Sequence, residues 1–108
     1  MTARTLIRLP ERARRGEVIA IQAAIQHPME TGHRPGADGR VLPRDIIRRF
    51  ELHYAGEAVF AADLHPALAA NPYLAFSTVA TVSGDLVFRW RGDNGFSHEE
   101  TRRLIVEG

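Results

Sequence analysis

The chain has 108 residues, 44 % hydrophobic and 25 % charged, and its 14 basic and 13 acidic side chains leave a formal charge of +1. That length gives one domain, spanning residues 1–108, with room for one core. The sequence contains no cysteine, which removes disulfide frameworks, thiolate nucleophiles and sulfur-ligated metals, and its longest apolar run, Ala58 to Ala62, falls far short of the roughly 20 residues a membrane-spanning helix needs.

From the N-terminus, Met1 to Pro10 sets Arg4 and Arg8 around only two apolar residues, so no export signal of the chain's own is expected. Arg4 to Leu9 reads as a first strand, closed by Pro10, and Arg15-Gly16 as the turn before the next. Ile19, Ile21, Ala23 and Ile25 then alternate with Ala20, Gln22, Ala24 and Gln26, the two-residue period of a strand with one buried face. Phe50, Leu52 and Tyr54 alternate with Arg49, Glu51 and His53, and Leu86, Phe88 and Trp90 with Val87 and Arg89. Ala58 to Ala62, Leu74 to Ala80 and Glu99 to Val106 complete about seven strands. Ala55-Gly56, Ser83-Gly84 and Gly92-Asp93-Asn94-Gly95 supply reversals, the Asn-Gly pair giving the positive φ a tight hairpin requires. Prolines interrupt every stretch long enough for a helix, leaving Asp63 to Pro72 one helical turn at most. The expected fold is all-β, an immunoglobulin-like antiparallel β-sandwich with Trp90 between its sheets and no cysteine pair to clamp them.

Two segments break the hairpin rhythm. His27 to Pro43 spans 17 residues, beyond the usual length of a structureless loop. Asp63 to Tyr73 is mostly apolar although it carries two prolines, and apolar loops are normally covered, by their own domain or by a partner.

All basic residues are arginine, concentrated at residues 4–16 and 34–49, whereas residues 51–88 carry four acids and no arginine. Nucleic-acid binding calls for a strong positive excess interleaved with aromatics, and neither is present. His27, Glu30 and His33 form H-x2-E-x2-H, which gathers metal ligands only if the chain bends suitably and His53, His65 or His98 supplies another; loop histidines bonded to backbone or solvent are the default. Ser77, Ser83 and Ser97 lie outside any Gly-x-Ser-x-Gly elbow, Glu99 and Glu100 point to opposite faces of a strand, and Gly36, Gly39 and Gly56 are too scattered for a phosphate loop. No catalytic residue, cofactor or metal site is assigned, and the residues point to a binding module.

The two unusual loops carry a resemblance. His27-Pro28-Met29-Glu30-Thr31-Gly32 and the run from Asp63-Leu64-His65-Pro66 through Asn71-Pro72-Tyr73-Leu74-Ala75-Phe76 resemble the signature segments of SoxZ, the small non-cysteine subunit of the bacterial sulfur-oxidation carrier complex. The likeness extends over nearly the whole chain, including Gly16-Glu17-Val18-Ile19 and Pro43-Arg44-Asp45-Ile46-Ile47, and is least diagnostic between Gly92 and His98. It implies an immunoglobulin-like sandwich that pairs with a SoxY-type subunit, whose flexible C-terminal tail holds the sulfur substrate on one cysteine while other Sox enzymes act on it during thiosulfate oxidation. It further implies a non-enzymatic role in the periplasm, reached by export with the signal-bearing partner. The lack of cysteine fits that role, because a second thiol beside the carrier forms mixed disulfides.

Within these segments Met29, Asp63, His65, Leu68, Asn71 and Tyr73 are the candidate partner contacts, since an adaptable thioether and a rigid aromatic with a polar tip suit interfaces. For each, the alternative is packing inside its own domain, and Asn71 before Pro72 is also a common turn. The rival functions are a small metal-binding sandwich using the loop histidines and a self-associating adhesion-like module.

Overall fold

The computed structural model of the chain describes residues 3–65 and 70–108. Within them lie strands β1 (Thr5–Arg8), β2 (Arg12–Arg14), β3 (Val18–Ile25), β4 (Ile47–Tyr54), β5 (Glu57–Asp63), β6 (Tyr73–Val79), β7 (Gly84–Gly92) and β8 (Ser97–Glu107). They form a three-stranded sheet in the order β1-β3-β6 and a five-stranded sheet in the order β2-β8-β7-β4-β5. The two sheets enclose one core, as an immunoglobulin-like sandwich does.

The alternation read from the sequence sets the two faces of each strand. Ile19, Ile21, Ala23 and Ile25 are buried along β3, as are Phe50, Leu52 and Tyr54 along β4 and Leu86, Phe88 and Trp90 along β7. Phe50 sits at the centre of this layer, its ring 5.2 Å from that of Trp90, 6.3 Å from Phe88 and 5.9 Å from Phe76 on the opposite sheet. Phe60 of β5 and Phe76 of β6 stack at 4.1 Å with planes 3° apart, closing one side of the sandwich across the sheets.

β2 is the one strand the sequence conceals. Three residues long, it shows a single inward side chain, Ala13, and so no period to read. It departs also from the expected antiparallel pattern by running parallel to β8, with Arg12 opposite Ile105 and Arg14 opposite Glu107. Pro10 marks the point where the chain leaves one sheet for the other. The Asn94-Gly95 turn has the expected positive φ at both residues, and the Phe96 N–H donates to the Asp93 carbonyl at 3.1 Å. The helical turn allowed for Asp63 to Pro72 begins instead as strand, since Asp63 ends β5, and residues 66–69 of that segment lie outside the described residues.

His27 to Pro43 is an arm with its own ladder rather than a structureless loop. Glu30 and Asp45 exchange both backbone hydrogen bonds at 2.8 Å, and the Leu42 N–H donates to the Arg34 carbonyl at 2.8 Å. At the other end of the sandwich the Tyr54 hydroxyl accepts the N–H groups of Thr81 and Val82, both at 3.1 Å, and donates to the Val82 carbonyl, fixing the β6–β7 connection to the end of β4.

The outer faces of the sheets differ in chemistry. On the five-stranded sheet, ion pairs lace neighbouring strands, Arg49 with Asp63, Arg89 with Glu99 and Arg103 with Asp85, and Arg49 also pairs with Glu51 along β4. On the three-stranded sheet the outward rows are Val18 beside Val79, Ala20 beside Ser77, and Arg8, Gln22 and Ala75 side by side. The last row holds Leu6, Ala24 and Tyr73.

Truncating Trp90 to Ala is expected to cost about 3–5 kcal/mol, because the aromatic layer cannot collapse onto the space left. Thr101→Ala on the outward side of β8 is expected to stay within about 0.5 kcal/mol. Urea denaturation of both variants measures this, and a Trp90 loss below about 1 kcal/mol would show that the layer does not hold the sheets together.

Candidate functional site

The loops singled out by the sequence meet at one end of the sandwich, around His27. The inward parity of β3 runs on past its last residue: after Ile21, Ala23 and Ile25 come His27 and Met29, each 4 % exposed. His27 therefore enters the core end as if it were one more strand residue, with its ring edge-on to Phe96 at 5.0 Å.

Hydrogen bonds tie the His27 ring and backbone to both loops. Its Nδ1 accepts the Met29 N–H at 2.9 Å, and its Nε2 lies 3.9 Å from a carboxylate oxygen of Asp45. Its backbone N–H donates to Asn71 Oδ1 at 2.9 Å, and its carbonyl accepts the Asn71 N–H at 2.7 Å. These two bonds join the first loop to the second across 44 residues. Met29 and Asn71 both adopt positive φ, 53° and 56°, sparsely populated for a bulky side chain and tolerated by asparagine. The Met29 thioether accepts the Ile47 N–H at 3.2 Å, satisfying a backbone donor at the start of β4. Among the described residues no buried side-chain nitrogen or oxygen lacks a partner.

Beside this cluster, Asp93 accepts two hydrogen bonds from Arg44, at 2.9 and 3.0 Å, and one from the Ile46 N–H at 3.2 Å, with Arg48 at 3.4 Å. The Arg44 hydrogen bonds hold its carboxyl below the ordinary range, against a smaller opposing effect of burial. Gly92 permits the approach of strands here, since a Cβ on it would stand 2.5 Å from the Ile46 carbonyl oxygen.

The six candidate contacts divide by surroundings. Met29 is buried and shapes the loop from within. Asn71 is exposed and tied to Met29 through His27. Asp63 is exposed, 2.8 Å from Arg49 Nη1, and His65 is exposed two residues further on. Tyr73, 55 % exposed, turns onto the outer face of the three-stranded sheet. Leu68 lies outside the described residues.

The structure does not bring His27, Glu30 and His33 together as ligands. His27 is buried, Glu30 takes three hydrogen bonds from Arg34, and the exposed His33 donates its N–H to Thr31. Among the described residues, no three His, Cys, Asp or Glu side chains converge as a metal site would require. Ser83 is engaged by the backbone of Val106. Glu99 and Glu100 face opposite ways: Glu99 pairs with Arg89, and Glu100 turns inward to His98 and Thr5.

Among known families, residues 7–103 match the one described as sulphur oxidation protein SoxZ. The chain belongs to the SoxZ family. No curated protein sequence matches it. Among solved structures, the sulfur carrier protein SoxY from Chlorobium limicola f. thiosulfatophilum is similar at a TM-score of 0.68 and 15 % identity, over 96 % of this chain and 79 % of that one. A superoxide reductase (neelaredoxin) from Ignicoccus hospitalis is similar at a TM-score of 0.72 and 20 % identity, over 99 % of this chain and 81 % of that one. These likenesses show a shared fold. The SoxZ family membership of this chain makes it a sulfur-oxidation protein.

Burial lowers the pKa of His27, more than the carboxylates of Asp45 and Asp93 raise it. The native state therefore prefers the neutral ring, and the unfolded chain binds the proton first. This contribution to stability is complete above about pH 6.5, the ordinary histidine value, and is lost as pH falls from there through the lowered native value. His27→Asn keeps an acceptor for the Met29 N–H without a titrating group. Urea denaturation between pH 7.5 and 5 is expected to show stability falling in the wild type and a flatter profile in the variant; equal slopes would remove His27 as the cause.

Proposed function

We propose that this chain is the non-catalytic half of a heterodimeric sulfur carrier, binding a SoxY-type subunit whose tail cysteine holds the sulfur intermediates of thiosulfate oxidation. Membership of the SoxZ family over residues 7–103 carries this reading. A chain without cysteine has no thiol on which to carry sulfur itself, so a thiol-bearing partner supplies the covalent step. Action in the periplasm, after export with the partner, and transient contact with the other Sox enzymes are part of the same proposal.

The partner contacts proposed are the exposed Asp63, His65, Asn71 and Tyr73, together with Leu68. Met29 acts behind them. Its thioether and the His27 ring fix the backbone path of the first loop, so that Asn71 is presented from a braced position. Pre-organisation of this kind lowers the ordering cost of association.

Co-expression with a SoxY-type subunit, followed by size-exclusion chromatography, is expected to give a persistent one-to-one complex, and the isolated chain is expected to turn over no sulfur compound. A stable homo-oligomer that ignores the partner, or turnover by the chain alone, would overturn the reading. Asp63→Lys is expected to keep the melting temperature within a few degrees, because an exposed ion pair contributes about 0–1 kcal/mol, and to weaken partner binding about tenfold. Unchanged binding would remove the second loop from the interface.

A further inference from the structure

We infer that the free edge of β6, with the groove beside its C-terminal half, binds an extended peptide segment that carries apolar residues at alternate positions and a lysine or arginine at its end. The segment adds to the three-stranded sheet as a fourth strand.

The backbone of β6 is bonded on one side only. At one end the Ile25 N–H donates to the Pro72 carbonyl at 3.3 Å, and at the other the Ala80 N–H donates to the Glu17 carbonyl at 2.8 Å. Between these anchors the β3–β6 register puts Leu74, Phe76 and Thr78 in the hydrogen-bonded pairs with Ala23, Ile21 and Ile19. The N–H and C=O groups of Tyr73, Ala75, Ser77 and Val79 therefore point away from β3, and among the described residues no strand pairs with β6 on that side.

Sheet edges are ordinarily blunted by shortness, charge, proline or a bulge, and the other three edges of this sandwich are. β1 has four residues and ends in Arg8, and β2 has three, two of them arginine. β5 opens on Glu57 and closes on Asp63, and its ladder with β4 is bulged between Leu52 and His53. β6, by contrast, runs for seven residues from Tyr73 to Val79 with no charge, no proline and an unbroken register. An edge left open in this way is a template for strand addition, in which main-chain bonds give affinity and alternate side chains give specificity.

The surroundings of the edge select the occupant. A strand added to β6 lies over β5, so its inward side chains meet an open groove of about 560 Å³ lined by Tyr54, Glu57, Val59, Thr78, Val79 and Val82. Val59 is 39 % exposed and Val82 46 %, and the Phe60–Phe76 stack next to them is only partly buried. Apolar side chains at alternate positions of the segment cover these groups. Glu57 is exposed in the groove wall, and among the described residues the ion pair on β5 is that of Asp63 with Arg49. Residues 51–88 hold four acids and no arginine, so a cation at the end of the segment is complementary. Two copies joined antiparallel through this edge would instead turn Glu57 of each β5 towards Asp63 of the other.

The probe is the end-capped peptide Lys-Thr-Val-Thr-Val-Thr-Lys, whose lysines and valines share one face when extended. It is titrated into the isotope-labelled full chain and followed by amide chemical shifts. Saturable shifts at Ala75, Ser77 and Val79 are expected, with a Kd below about 1 mM. Ser77→Pro removes an outward N–H and no bond to β3, and is expected to weaken binding at least tenfold while melting like the wild type. Where that variant does not fold, Glu57→Lys carries the test: it is expected to weaken this peptide at least threefold and to strengthen the analogue with glutamate at both ends. No saturable binding, shifts confined to other strands, or folded variants that bind as the wild type does would each overturn the inference. A homodimer of the free chain that Ser77→Pro dissolves would make a second copy the occupant, and displacement of the peptide by a SoxY-type subunit would give the edge to the proposed pairing; either result also overturns it.

Discussion

The sandwich depends on aromatic contact between its sheets. In the absence of a disulfide, Phe50 meets Phe76 across the core while touching Trp90 and Phe88 within its own sheet, and the Phe60–Phe76 stack closes the side. Aromatic rings supply large buried area and preferred tilted or offset geometries, so one cluster fixes both the spacing of the layers and the lateral position of β5 against β6. The loop end is built on strands whose places are set in this way: β3 delivers His27, β4 presents Ile47 to Met29, and β6 follows directly from Asn71.

Burial of one face leaves the other free to be specialised. Ion pairs crossing from strand to strand suit the five-stranded sheet to water, and individually contribute little to stability. The opposite sheet presents Leu6, Val18, Val79 and Tyr73 on its outer face, with Arg8 beside Gln22.

Much of the architecture was legible because period-two alternation is a direct record of which side chains face the core. It identified the inward residues of β3, β4 and β7, placed Trp90 between the sheets and located the Asn94-Gly95 reversal. It missed β2, where three residues and one inward alanine leave no repeat to detect. It also read the first loop as beginning at His27, although the alternation of β3 continues unbroken through His27 and Met29. A histidine and a methionine in inward register were the available signal that this loop is anchored in the core. The bond between His27 and Asn71 had no signature in the sequence, since the two residues are far apart along the chain and their pairing follows from the β3–β6 register.

That bond has a mechanical consequence. Because His27 and Asn71 bond each other through both a backbone and a side-chain acceptor, neither residue can shift without breaking a contact in the other, and this end of the sandwich is tied at that point. Strain applied at Tyr73 would be transmitted through Asn71 directly to the end of β3.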